Sequence, residues 1–388
     1  MKHKIKLKDA LTSAVFIIVI GGFFIANLLV PAPAILISER RVPAKFPELT
    51  ANTVFSGNFM GKFDAYAADN FVLRDEFRRI RSFMVFDIYM LKDKSGLYRS
   101  ENVGIGEFAR LDAPAFRQTA GRIGKAAGVL ADLGINVYYS VVPDKSVFAG
   151  SYMPGFDINE AEAILFDVLG DYEYIRVYDD LDADSYYKTD LHWDQTMIAA
   201  VANRLISAMA DDANFGAVAG DDSGAAGYLS GGLNNGSGAS RGSAGEFRGV
   251  YAGQLALPVP ADEMSFLHIP GLSVSYLNEK TLEFEPGPVY DLERLSGVDP
   301  YDLFLRGPQP LIVIESEAGN GRELYLFRDS FGSSLAPLLA LGYSKVTIID
   351  LRYIHMMMLD QFIEWTPGAD ALFIYSSLIF NNPSVLLA

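Results

Sequence analysis

The stretch from residue 310 to 377 constrains the fold most. PLIVIES and ELYLF read as two apolar strands around the turn EAGNGR. SSLAPLLALG then reads as a helix, SKVTIID as a strand, HMMMLDQFIEWT as a helix and ALFIYSS as a strand. Apolar strands alternating with helices of this length belong in a mainly parallel sheet. Its crossovers are right-handed and helices cover both its faces. The expected class is an α/β sandwich. Of the 388 residues, 50% are hydrophobic and 21% charged, which supplies a core for such a fold.

Upstream, Phe63 to Lys92 carries apolar residues at helical spacing. Pro114 to Leu133 gives another helix, ended by Gly134, and INVYYSVVP a buried strand closed by Pro143. Residues 159–169 suggest a short helix, and Gln195 to Ala213 a longer one capped by Asp194. Ten of the thirty residues from Gly216 to Gly245 are glycine, so 214–246 reads as a flexible Gly/Ser-rich insertion.

Met1 to Lys8 holds four lysines, and residues 10–38 hold no charge. LTSAVFIIVIGGFFIANLLV has about the ~20 residues a bilayer-crossing helix needs. The expected order is a cytoplasmic tail (1–9), a transmembrane anchor (10–31), a stem (32–58) and an extracytoplasmic domain (59–388). The lysine collar keeps the N-terminus in the cytoplasm. Ala32-Pro33-Ala34 also resembles a signal-cleavage site, so a secreted chain is the alternative.

Composition narrows the chemistry. There are 48 acidic residues against 32 Lys and Arg, a net charge of −16, which argues against nucleic acid as a partner. The absence of cysteine excludes a thiol nucleophile, thiolate metal sites and disulfides. The histidines are His3, His192, His268 and His355. A multi-histidine metal centre would need most of them, and neither metal nor cofactor is expected. His268 reads as a partly buried strand-end residue, His355 as a helix start and Met356 to Met358 as the core of a buried helix.

Two segments carry candidate chemistry. In ELYLFRDSFGSSLAPLL, Arg328-Asp329-Ser330-Phe331-Gly332 sits where a strand gives way to a helix. Ligands collect at such strand ends, and a helix N-terminus offers N–H groups to a developing oxyanion. Ser330 is the candidate nucleophile, yet a helix cap would use the same residues. In YKTDLHW, Asp190 stands two residues before His192 and next to Trp193. A serine hydroxyl needs a base, and the base works best when a carboxylate orients it. Contact at this spacing requires a local turn.

TDLHW, RDSFG and IDLRY together resemble the DHHW protein family and the alginate O-acetyltransferases of the AlgJ and AlgX type. The likeness extends through DNFVLRDEF, VVPDK, YYKTDLHWD, FRGVYAG and DPYDLFLRGPQPLIVI. It implies a circularly permuted, three-layer SGNH-hydrolase-like sandwich with Ser330, His192 and Asp190 as a catalytic triad. Backbone N–H groups at Ser330, Phe331 and Gly332 would serve the oxyanion hole, supported by Asp329 and Arg328. Asp144, Lys145, Tyr187, Trp193 and Arg352 would fall near the substrate, as would Asp350. Leu191 stands where the DHHW motif has another histidine, and RGPQP lacks an asparagine expected near its glycine.

The resemblance implies a membrane-anchored acyltransferase that O-acetylates a cell-surface or secreted polysaccharide. A multi-spanning membrane acyltransferase would be its partner, delivering acetyl groups. An esterase is the close variant, with water replacing the sugar hydroxyl. The alternative from another class is an inactive polysaccharide-binding or scaffold module of a cell-envelope assembly.

Overall fold

The computed structural model describes residues 7–108, 110–150, 156–210, 240–317 and 321–387. They form two compact units, one of Met1–Lys94 with Ala252–Pro258, the other of Ser95–Tyr251 with Val259–Ala388.

The first unit is helical: α1 (Leu7–Leu29), α2 (Ala51–Phe55), α3 (Asn58–Asn70) and α4 (Arg74–Phe83), the last continuing into a π-helical turn, Met84–Ile88. Ala10–Leu29 in α1 is long and apolar enough to cross a membrane, and none of it is buried in the protein. Residues 32–58, read as a stem, include α2. Asp69 is a charged hub. It accepts hydrogen bonds from Arg41 Nη1 and Nη2 at 2.6 Å each and from the Ala44 N–H at 2.8 Å. The Arg41 fork holds its carboxyl down at about 2, against the opposing push of burial.

The second unit opens with the hairpin β1 (Leu97–Ser100) and β2 (Gly104–Glu107). Then follow α5 (Ala113–Asp132), β3 (Asn136–Val142), α6 (Ile158–Leu169), β4 (Glu173–Tyr174) and α7 (Ala199–Met209). Next come β5 (Ser240–Phe247), β6 (Asp262–His268), β7 (Leu272–Leu277), β8 (Phe284–Gly287), β9 (Leu311–Ser316) and β10 (Glu323–Arg328). Then come α8 (Ser330–Leu339), β11 (Lys345–Ile349) and β12 (Asp370–Ser376), and one helical turn, Ser377–Phe380, follows. An eight-stranded sheet runs β4–β3–β12–β10–β11–β9–β7–β8. Neighbours from β4 to β11 are parallel, and β9, β7 and β8 extend it antiparallel.

Strand alternation builds the layers. On β10, Leu324 and Leu326 pack with Leu335 and Leu338 of α8 and with Val201 and Leu205 of α7. Tyr325 and Phe327 point the other way, into a cluster with Phe116 and Ile123 of α5 and Leu165 of α6. Both faces are dry, which is why these strands read as unbroken apolar runs. Local signals set the helix ends. Asp112 caps α5 by accepting from the Ala115 N–H at 3.0 Å, and Gly134, at φ +77°, turns the chain out of it.

Five details depart from the sequence reading. PLIVIES and ELYLF do not pair, because β11 lies between them, parallel to β10 and antiparallel to β9. Met356–Gln361 is a 3₁₀ turn, not a buried helix. Leu359 is its buried residue and Met356 packs half-buried against the core, while Met357 is 82% exposed and Met358 46%, so those two are not core. His268 ends β6 but is exposed. The helix expected over 195–213 is a 3₁₀ turn, Gln195–Met197, followed by α7. Of the insertion expected at 214–246, residues 214–239 lie outside the described residues, and 240–246 belong to β5, paired with β6.

Candidate active site

A tight loop brings the acid and the histidine together. Tyr186 bridges antiparallel to Trp193, and the Tyr187 N–H donates to the His192 carbonyl at 3.1 Å. Inside this turn Asp190 Oδ1 accepts from the His192 N–H at 3.1 Å and lies 2.7 Å from His192 Nδ1. The other ring nitrogen, Nε2, lies 2.8 Å from Ser330 Oγ. Asp190 and His192 are buried, whereas Ser330 is only half-buried.

The turn is braced from several sides. Asp190 Oδ2 accepts from the Val250 N–H at 2.9 Å, and the Gly249 N–H donates to Thr189 Oγ1 at 2.8 Å. A Cβ at Gly249 would run into Asp190 Cβ and the Thr189 carbonyl, so only glycine allows this approach. Asp262 accepts from the N–H groups of Lys188 and Thr189 at 2.9 and 2.7 Å. The Ile105 N–H of β2 donates to the Lys188 carbonyl at 2.7 Å. Lys145 Nζ donates to the carbonyls of Tyr187 and Asp190 at 2.9 and 2.7 Å. Burial pulls this ammonium down to about 8, against the attraction of Asp144, Asp190 and Asp262.

The imidazole is held by its face as well as its edges. The Tyr301 ring stacks on His192 with centroids 3.8 Å apart and planes 5° off parallel. The Tyr301 hydroxyl donates to Ser334 Oγ at 2.7 Å, and Trp193 Nε1 reaches the same oxygen at 2.8 Å. Trp193 Nε1 also donates to the Phe331 carbonyl at 3.1 Å, tying the loop to α8. Burial pushes the Tyr301 phenol well above its ordinary range, so it stays a donor.

Ser330 is the first residue of α8, at the carboxyl end of β10. Asp329 caps the helix: Oδ1 accepts from the Phe331 N–H at 3.0 Å, and Oδ2 from the Ser376 N–H at 2.8 Å. The Gly332 N–H donates to the Asp329 carbonyl at 3.0 Å. Two N–H groups expected in the oxyanion hole, those of Phe331 and Gly332, therefore already have acceptors. The Ser330 N–H opens the helix and has no carbonyl within it to bond. Arg328 is fully buried and its Nη1 lies 3.2 Å from Asp350 Oδ2. Its Nε and Nη2 have no hydrogen-bond partner among the described residues. Burial pushes this guanidinium's pKa down and Asp350 opposes the push. A Cβ at Gly332 would overlap the Arg328 side chain, which explains glycine at that position.

No protein-family model matches the sequence, and no curated protein matches it. Solved structures do match. A DHHW family protein from Eubacterium siraeum superposes with a TM-score of 0.52 at 16% identity, over 68% of this chain and 86% of that one. Bacillus cereus PatB1 with a sulfonyl adduct gives 0.55 at 17% identity, over 72% and 95%. The chain shares the fold of a DHHW family protein. The O-acetyltransferase domain of Pseudomonas putida AlgJ is more distant, with a TM-score of 0.42 at 9% identity over 74% and 92% of the two chains, too loose a likeness to relate sites.

The residues expected near the substrate are placed as supports. Lys145, Tyr187, Asp144 and Trp193 are all buried. Asp144 caps the 3₁₀ turn that carries Lys145, accepting from the Ser146 N–H at 2.8 Å, and burial raises its carboxyl. Tyr187 packs edge-on against Phe247. Arg352, half-buried, is committed to Asp350 through Nε at 2.8 Å and Nη2 at 2.7 Å. Sequence reasoning missed Tyr301, Ser334, Gly249, Thr189 and Asp262. Tyr301 and Gly249 did lie in recognisable stretches, DPYDLF and FRGVYAG, but nothing in either marks a contact with His192 or Asp190. Among the described residues, no group of three or more His, Asp or Glu is placed to hold a metal ion.

Proposed function

We propose that this protein is a membrane-anchored, extracytoplasmic serine acyltransferase of the SGNH-like, circularly permuted kind. Its acceptor is a hydroxyl of a cell-surface or secreted polysaccharide, and acetyl is the group moved. The supporting observation is the unbroken relay from Asp190 through His192 to Ser330, ending on the half-buried Ser330.

Chemically, Nε2 removes the Ser330 proton as Oγ attacks the acyl carbonyl, and the proton passes to the leaving group as the acyl-serine forms. Asp190 holds Nδ1–H and stabilises the imidazolium that appears between the two transfers. The Ser330 N–H, at the positive end of α8, faces the developing oxyanion. His192 then deprotonates the sugar hydroxyl, which attacks the ester and frees Ser330. Water in place of the sugar would give hydrolysis. Acetyl groups made in the cytoplasm would reach Ser330 through a multi-spanning membrane acyltransferase, with α1 as the tether.

A second reading, a polysaccharide-binding module without catalysis, is favoured by one observation: Asp329 already occupies the Phe331 and Gly332 N–H groups. Turnover separates the two. The full chain in detergent should release the chromophore from an aryl acetate. Ser330→Ala should lower kcat by about 10⁴–10⁶ with the fold intact. Equal rates in the two proteins would overturn the enzyme reading.

A further inference from the structure

Helix α4 is turned the opposite way from a helix of a water-soluble protein. At about 100° per residue, Phe77, Ile80 and Phe83 share one side and Arg74, Arg78 and Ser82 the other. The protein buries the polar side. Arg74 donates to Glu39 at 2.8 Å, Arg78 to the carbonyls of Gly253 and Gln254 at 3.0 and 2.7 Å, and Ser82 to the Leu255 carbonyl. The apolar side faces outward: Phe77 is 45% exposed, Ile80 59% and Phe83 51%. Ile88, Tyr89, Met90 and Leu91 continue it, all exposed. An amphipathic helix in water buries its apolar stripe.

We propose that this face of α4 lies in the headgroup region of the bilayer that α1 crosses, making the first unit a lipid-binding surface as well as a tether. The inference rests on the reading of α1 as a membrane anchor. Continuity with α1 identifies the occupant. Asn27, near the end of α1, accepts from the Val72 N–H at 2.9 Å. The Phe23 ring stacks on Phe71 at 5.6 Å and meets Phe77 at 5.7 Å. Phe23 precedes Leu29 by six residues, about 9 Å of helix, so α4 begins level with the outer end of the span. Interfacial helices bury their apolar face about 5–10 Å into the same zone. Of the four arginines in RDEFRRIRSF, Arg74 and Arg78 pair inward with Glu39, which leaves Arg79 and Arg81 on the outer side. The exposed Arg79 and Arg81 border the apolar stripe on its two sides, where anionic headgroups would meet them, and the exposed Glu76 falls within the stripe, between Ile80 and Phe83.

The cysteine-free chain allows a direct test. Phe77→Cys and Ile80→Cys variants of the full chain would carry a nitroxide in vesicles of phosphatidylcholine and phosphatidylglycerol. Phe16→Cys in α1 and the exposed Lys125→Cys serve as lipid and water references. Collision with dissolved oxygen and with a water-soluble nickel chelate is read for each label. Labels at 77 and 80 should favour oxygen, as at 16, with the chelate preferred at 125. Chelate-preferring labels at 77 and 80 beside an oxygen-preferring label at 16 would overturn the proposal while leaving the anchor reading intact. Labels at 77 and 80 shielded from both probes would overturn it in favour of a covering protein. A chelate-preferring label at 16 would overturn the anchor reading, and the proposal with it.

Discussion

His192 is fixed by three independent contacts, and each has a different consequence. Asp190 sets its tautomer, Ser330 receives its other nitrogen, and Tyr301 lies flat against its face. Asp190→Asn should cut kcat by about 10⁴, because the amide can present its N–H to Nδ1 and leave Nε2 protonated. Tyr301→Phe keeps the stack and loses only the hydroxyl bond to Ser334, so steady-state rates should fall less than with Tyr301→Ala. The alanine variant also forfeits a ring contact worth about 1 kcal/mol. Comparing kcat for the pair measures what the stack contributes; equal losses would show that the hydroxyl matters and the ring face does not. Gly249→Ala should destabilise the protein by about 1–3 kcal/mol in chemical denaturation, since its Cβ has no room beside Asp190. An unchanged midpoint would show that the Asp190 loop gives way easily.

The loop from Tyr186 to Trp193 works as an element because charges and carbonyls brace it from below. Lys145 is its central strut. Its pKa falls from 10.5 unfolded to about 8 folded through burial, so between those values the unfolded chain holds a proton that the folded chain has released. Stability from this group therefore rises with pH across that window. Lys94, also lowered to about 8 by burial, adds a slope of the same sign in the first unit. Lys145→Met should flatten, without abolishing, the rise in denaturation midpoint from pH 8 to 10. An identical pH profile in the variant would show that Lys145 does not change its protonation on folding. The loop also marks a limit of sequence reading. TDLHW displays Asp190 and His192, but it shows neither the turn that joins them nor the N–H groups that hold the acid. Phe331 and Gly332 illustrate the same limit: the Asp329 carboxylate takes the first N–H, a matter of side-chain rotamer, and the Asp329 carbonyl takes the second, a matter of backbone turn.

For the molecule as a whole, the layered α/β core was legible because strands dry on both faces advertise themselves as apolar runs. Their order was not. A tight connection between PLIVIES and ELYLF looks like a hairpin, yet β11, drawn from further along the chain, fits between them with equally apolar faces. Tyr301 was hidden for a related reason: its partner is far away in sequence, and only the packed sheet brings them together. The apolar span of α1 was legible from hydropathy, whereas the inverted α4 shows only once Arg74 and Arg78 are seen turned inward. Orientation can be read in cells: with an impermeant thiol reagent, Lys125→Cys should label from outside and Lys8→Cys should not. The opposite pattern would reverse the topology.

The central claim is that Ser330 carries the acyl group. Rapid mixing of the full chain with an aryl acetate, acid quenching and peptide mass mapping would find it. One acetyl group on the Ser330 peptide, absent from Ser330→Ala and slow to appear in His192→Ala, is the expected result. A sulfonyl fluoride should mark the same serine. Acetyl appearing on another residue, or at the same rate without His192, would contradict the assignment.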